Sequence, residues 1–318
     1  DMYSLSTCWN SHRHDDGRAM LREIAELGFE YAELSHGIRV SLVPGIVDAV
    51  EAGEIKISTL HNFCPLPLGV NHAAPNIYEF SSEDRREREY ARKHTLKTIE
   101  FAVRVKAKLI VIHSGSMEFR PSFFAGLFGA QNEKFTDKIL DLVAADKSGS
   151  EEFNELVTQA IARQEACKTG PLERSLEMLN RIAVKAAEHD LLLGIENREA
   201  LEEIPLDQEM WMFLDELPSE TVRYWHDCGH GQIKANLGFI DHTMHVQSLA
   251  HRLGGFHVHD VAFPGKDHQP PGSGMIDFEA LGKLVKPDHI KVFEMNPALS
   301  KEEVLTGVKH LKSVWGES

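Results

Sequence analysis

Eight short runs of apolar and β-branched residues punctuate the chain, at positions 3–7, 31–35, 56–61, 109–113, 192–196, 223–227, 255–259 and 291–294. Between them, stretches such as 19–27, 87–105 and 176–189 carry apolar residues at three- and four-residue spacing, the period of a helix with one buried face. Strand-like runs alternating with helix-like stretches are the pattern of parallel βα units. Eight such runs predict an α/β fold closed into a (β/α)8 TIM barrel. An open, doubly wound sheet is the rival arrangement.

The alternation breaks once. Positions 114–190, between the fourth and fifth runs, are far longer than an ordinary βα connection and predict additional helices. No low-complexity linker sets them apart, so they read as a helical insertion at 118–172 within a single domain spanning 1–318. Phe119, Phe123, Phe124, Leu127 and Phe128 crowd just after the fourth run, either as a lid that excludes water or as a patch for a second subunit.

Composition narrows the class. With 42% hydrophobic and 26% charged residues over 318 positions, the chain can bury a large core. Its longest apolar runs, 109–112 and 191–195, fall far below the ~18 residues that cross a bilayer, so no membrane span is expected. No basic, apolar leader precedes the first run, which favours a cytoplasmic location. Cys8, Cys64, Cys167 and Cys228 form neither a CxxC pair nor a disulfide framework. The formal charge of −15 repels polyanions, so no nucleic-acid partner is expected. The one dense basic run, 85–93, is interleaved with acids and suits a solvated helix face. An acidic surface and an insertion permit a homo-oligomer without requiring one.

Nearly every predicted strand ends on a residue able to bind metal or move a proton: Glu33, His61, His113, Glu196, Asp227, His257 and Glu294. In a barrel the C-terminal strand ends ring one pocket, so residues far apart in sequence converge there. Glu196, Asp227, His257 and Glu294 stand out as metal ligands, because three carboxylates and one imidazole make a hard O/N set. That set suits one divalent ion, with Mn²⁺ leading and Mg²⁺, Co²⁺ or Zn²⁺ as alternatives. A bound sugar carbonyl and neighbouring hydroxyl would be polarised there, and Glu196 and Glu294, near opposite barrel walls, are the candidate acid/base pair. Taken singly, each acid is as readily a cap or a hydrogen-bonding group. It is their agreement with the strand ends that points to a site.

Five further residues are candidate substrate contacts: His61, His113, Arg198, His230 and His268. His61 and His113 are equally explained as buried histidines bonded to a neighbouring strand, and Arg198 by pairing with Glu199 or Glu202. Gly229 and Gly231 flank His230 and read as a loop that turns the backbone inward. His12, His14, His36 and His259 read as rim residues. His94, His189, His242, His245, His251, His289 and His310 read as helical or exposed. For a phosphorylated substrate only Arg198, Lys266 and Arg120 offer positive charge, so an unphosphorylated sugar is expected.

These residues resemble the xylose isomerase-like TIM barrel superfamily, which includes sugar phosphate isomerases, ketose 3-epimerases, hydroxypyruvate isomerases, inosose dehydratases and the endonuclease IV branch. The segments that carry the resemblance are LREIAELGFEYAEL, VIHSG, IENR, HDCGH, HVHD followed by GSGMIDF, and VFEMN, in that order along almost the whole chain. The resemblance implies an enzyme: a divalent-metal-dependent isomerase or epimerase of a small sugar or polyol. Its metal would be held by Glu196, Asp227, His257 and Glu294, and both glutamates would shuttle protons. Two other enzymatic readings use the same residues: a zinc phosphodiesterase like endonuclease IV, and a sugar dehydratase or lyase. Against the nuclease, Lys266 stands where that branch has an aspartate, although Asp267 is adjacent. A sugar-binding protein without activity is the non-enzymatic reading, and the paired glutamates speak against it.

Overall fold

The computed structural model describes residues 2–119 and 134–316. Eight parallel strands close into a barrel. In chain order they are β1 (Met2–Ser6), β2 (Tyr31–Leu34), β3 (Lys56–His61), β4 (Leu109–Ile112), β5 (Leu192–Glu196), β6 (Val222–Asp227) and β7 (Leu253–Val258), followed, after a hairpin of β8 (Asp260–Ala262) and β9 (Lys266–Gln269), by β10 (Ile290–Phe293). β10 pairs with both β7 and β1, which completes the ring. The eight predicted runs match these strands to within one or two residues. The hairpin was not anticipated, because Lys266–Gln269 is polar and lacks strand periodicity.

Helices surround the barrel wherever the three- and four-residue spacing predicts them. In α1 (Gly17–Glu26), Met20, Leu21 and Ile24 are buried, and the Asp16 carboxylate caps the free backbone N–H groups of Arg18 and Ala19. α2 (Val43–Glu51) packs beside α1, and α3 (Arg85–Arg104) leads into β4. Between β4 and β5 lie α4 (Phe135–Ala144), α5 (Glu151–Cys167) and α6 (Thr169–Ala187), so this connection does contain extra helices. Phe119 is fully buried, with its ring 5.8 Å from that of Phe135, so it packs inside this connection and offers no exposed patch. Phe123, Phe124, Leu127, Phe128 and Arg120 lie outside the described residues.

The main core fills the layer between sheet and helices, while Leu109, Val111, Trp225, Ile290 and Val292 form a second cluster inside the barrel. Trp225 pairs in register with Gly255, where a Cβ would stand 2.5 Å from the indole. The indole therefore fills the lumen and lies 5.2 Å from the His257 ring, forming part of the site's floor.

Three of the histidines read as helical or exposed make specific contacts, although His242 and His245 do lie in a helix, His242–Ser248. His289 is buried, and its Nδ1 accepts from the Lys286 N–H at 3.0 Å. His242 and His245 pack on the outside of β6: His242 lies 2.9 Å from His226, and His245 lies 3.3 Å from the Tyr224 hydroxyl. A buried Lys234–Asp207 ion pair of 2.8 Å sits beside them. No helix among the described residues is long and apolar enough to cross a membrane.

Candidate metal centre

Glu196 ends β5, Asp227 ends β6, His257 lies in β7 and Glu294 follows β10. One ligand atom from each falls within 4.8 Å of all the others. His257 Nδ1 is 2.9 Å from Glu196 Oε1, 3.6 Å from Glu294 Oε2 and 3.7 Å from Asp227 Oδ2. All four residues are buried. Their strands are consecutive around the ring, and β5 and β10 stand three places apart in a ring of eight, so Glu196 and Glu294 approach from well-separated walls.

The two oxygens of Asp227 are used differently. Oδ1 accepts from the His230 backbone N–H at 2.8 Å and from His259 Nε2 at 2.9 Å. His259 Nδ1 accepts from the His268 N–H at 2.9 Å, so its proton resides on Nε2. Asp227 Oδ2 is buried and has no hydrogen-bond partner. A carboxylate oxygen buried without a donor is costly unless a cation satisfies it. Together with the O/N donor set, this orphan oxygen fits a divalent ion coordinated by these four side chains.

His259 was read as a rim residue but is fully buried against Asp227, where it orients a candidate ligand. Gly229 and Gly231 also have a different role from the one read in sequence. They lie in the first turn of α7 (Cys228–Asn236), and a Cβ at Gly229 would sit 2.0 Å from the His259 ring, one at Gly231 2.6 Å from His242. The need at both is close packing, not a turn.

All five candidate substrate contacts lie beside Glu196 or Glu294. His61 Nε2 and His113 Nε2 lie 3.3 and 2.8 Å from Glu196 Oε2. His230 Nδ1 is 2.9 Å from the Asn197 carbonyl, and its Nε2 is 3.7 Å from Glu199. His268 bonds Asp267 at 2.9 Å and lies 3.5 Å from Glu294. Arg198 is buried, with Nε 2.7 Å from Glu203 and Nη1 3.4 Å from Glu196; its partners are neither Glu199 nor Glu202. Three more groups have metal-compatible spacing among the described residues: His61, His113 and Glu196; His259, His268 and Glu294; and Glu199, His230 and Asp267.

Charge in the centre is mutually dependent. Burial alone would depress the His257 pKa, but the carboxylates of Glu294, Glu33 and Glu196 outweigh it and hold the pKa well above the usual imidazole range. Burial alone would raise Glu196, and the charge of His257 with bonds from His113, His257 and His61 reverses it to well below the usual range. His113 is pushed down to about 3, first by burial and then by the nearby Arg198 charge.

Sequence reading noted Glu33 as a strand-end acid without a role, and missed Asn76, whose Oδ1 lies 2.7 Å from His113 Nδ1. Asn76 sits in a loop with no periodicity to mark it. It also lines a cavity of about 440 Å³ with Glu79, Ser116, Glu199, Glu203 and Gly265. That volume lies within the usual range for small-molecule sites.

A family model described as xylose isomerase-like TIM barrel matches residues 21–314. Solved structures with the same fold include a D-tagatose 3-epimerase-like protein, 15% identical over 99% of this chain and 97% of that chain, with a TM-score of 0.68. A D-psicose 3-epimerase from Clostridium cellulolyticum H10 is 12% identical over 100% of both chains, with a TM-score of 0.67. A 3-keto-D-glucoside 4-epimerase from E. coli is 15% identical over 98% of this chain and 100% of that chain, with a TM-score of 0.65. At these identities the likeness is one of fold. No curated protein matches the sequence.

Proposed function

The chain belongs to the xylose isomerase-like TIM barrel family, and on that footing we propose that it is a divalent-metal-dependent isomerase or epimerase of a small, unphosphorylated sugar or polyol. The observation that carries the reading is the convergence of Glu196, Asp227, His257 and Glu294, with Asp227 Oδ2 buried and without a hydrogen bond. Those four residues would hold the ion, and Mn²⁺ leads among Mg²⁺, Co²⁺ and Zn²⁺. When bound, such an ion polarises a ketose carbonyl and acidifies the adjacent C–H.

Glu196 and Glu294 supply the proton transfers. They approach the same imidazole nitrogen from different strands, so one carboxylate is placed to take a proton from carbon and the other to return one. His61, His113, His230 and His268 border these carboxylates and are the candidate contacts for substrate hydroxyls, in exchange for their present partners. Arg198 is occupied by Glu203 and Glu196 and so serves to orient Glu196, which leaves Lys266 as the remaining described candidate for a phosphate. The neighbouring epimerases, named for tagatose, psicose and a 3-keto-glucoside, support a keto sugar as substrate. Four thiols outside any disulfide accord with the cytoplasm.

One observation favours a second reading, the zinc phosphodiesterase. Asp267 turns toward His230 and Glu199, adding a metal-compatible group beside those at His61 and His268. The net charge of −15 opposes it, since a nuclease must grip phosphates. Elemental analysis of protein purified without chelator separates the two. About one ion per chain, lost in Asp227→Ala, supports the isomerase; two or three zinc ions per chain support the phosphodiesterase.

A further inference from the structure

Beneath the four candidate ligands lies a carboxylate that the proposed chemistry does not use. Glu33 ends the inward face of β2 and is fully buried. Its oxygens lie 3.1 and 3.2 Å from His257 Nε2, and it accepts from the Thr59 hydroxyl of β3 at 2.8 Å. Every polar contact of this side chain therefore fixes either its own position or that of His257.

We infer that Glu33 is a positioning residue of the metal centre, holding His257 through Nε2 so that Nδ1 is the nitrogen presented to Glu196, Asp227 and Glu294. A carboxylate accepts and does not donate, so the bond requires the proton on Nε2. That leaves the Nδ1 lone pair for an ion, and the nearby negative charge makes the imidazole a stronger donor to it. The opposite tautomer would set a lone pair against Glu33 and a proton toward the ion.

The geometry also removes rotational freedom. The His257 ring lies against the Trp225 indole at 5.2 Å and is stacked with His61 at 5.8 Å, but neither contact distinguishes one ring nitrogen from the other. Among the described contacts, Glu33 alone touches Nε2. Thr59 in turn holds Glu33, so three strands, β2, β3 and β7, act together to orient one ring.

This inference rests on the metal reading above, and Mn²⁺ titration followed by the paramagnetic resonance of the free ion tests each separately. Wild-type chain, Glu33→Gln, Glu33→Ala and Thr59→Val are compared after chelator treatment, with circular dichroism as the check on folding. Glu33→Ala is expected to weaken Mn²⁺ binding about 10- to 100-fold, as loss of such a supporting partner does elsewhere. Glu33→Gln, whose Oε1 still accepts from Nε2, is expected to recover most of that loss and to remain only a few-fold weaker than wild type.

In the Zn²⁺-loaded, ¹⁵N-histidine-labelled wild type, His257 should show its proton on Nε2, and Glu33→Ala should lose that signature. Folded Glu33→Ala with wild-type Mn²⁺ affinity would overturn the inference. If Glu33→Ala does not fold, Glu33→Gln with wild-type affinity and an Nδ1-protonated His257 in the wild type would overturn it equally. A wild-type chain that binds no Mn²⁺ would instead overturn the metal reading itself.

Discussion

His259 Nε2 donates to Asp227 Oδ1 at 2.9 Å, leaving Asp227 Oδ2 as the buried oxygen without a hydrogen bond. The pair explains why glycine follows at 229, since a Cβ there would strike the His259 ring at 2.0 Å. Gly229→Ala should therefore displace His259 and weaken Mn²⁺ binding about 10- to 100-fold, with about 1–3 kcal/mol lost in stability from overpacking. Asp227→Ala should weaken it further while leaving a folded barrel, because this face of the fold serves the site more than stability. Mn²⁺ titration and urea denaturation of both variants measure the two effects.

His61 distinguishes one metal ion from several. With a single ion, His61→Gln removes one hydrogen-bonding nitrogen and should lower kcat/KM two- to tenfold, equivalent to about 0.5–1.5 kcal/mol. With a second ion on His61, His113 and Glu196, the same substitution should remove one metal equivalent per chain. Steady-state kinetics and elemental analysis of the one variant decide between these outcomes.

His289 should make stability depend on pH below neutrality. Its folded pKa is lowered to about 4, first by burial. The unfolded chain takes up a proton near pH 6.5 and the folded chain does not until about pH 4, so this contribution to stability is lost as pH falls through that window. His113, lowered to about 3, and His242, lowered to about 4, act in the same direction. Urea midpoints at pH 7 and pH 5 should show a fall for wild type and a smaller fall for His289→Gln.

Asp260 anchors the segment after the hairpin. Its carboxylate accepts from the backbone N–H groups of Val261, Gly272, Gly274 and Ile276 at 2.9, 2.9, 3.0 and 3.0 Å. Asp260→Ala leaves those donors without their acceptor and should cost about 2–4 kcal/mol by urea denaturation. Because β9 of the same hairpin carries His268, the variant should also raise KM.

The barrel was legible because both of its periods are written in the chain, as at Leu109–Ile112 for a buried strand and at Met20, Leu21 and Ile24 for a helix face. The ligands were legible because Glu196 and Asp227 end strands, His257 is the penultimate residue of β7 and Glu294 follows β10. What supports them was not. Glu33 was visible as a strand-end acid, but only the closed ring brings β2 and β7 near enough for it to bond His257. His259 looked like rim because it falls just beyond β7, and the hairpin that buries it has no apolar alternation. Asn76 gave no signal, since it acts from an irregular segment through one side-chain contact.

The most direct test of the proposed function is solvent deuterium incorporation into a panel of unphosphorylated ketoses and 3-keto sugars, followed by NMR with and without Mn²⁺. Metal-dependent exchange at a carbon next to the carbonyl of one sugar, abolished in both Glu196→Gln and Glu294→Gln, is the predicted result. No exchange into any sugar by Mn²⁺-loaded, folded enzyme, or exchange that survives both substitutions, would contradict it.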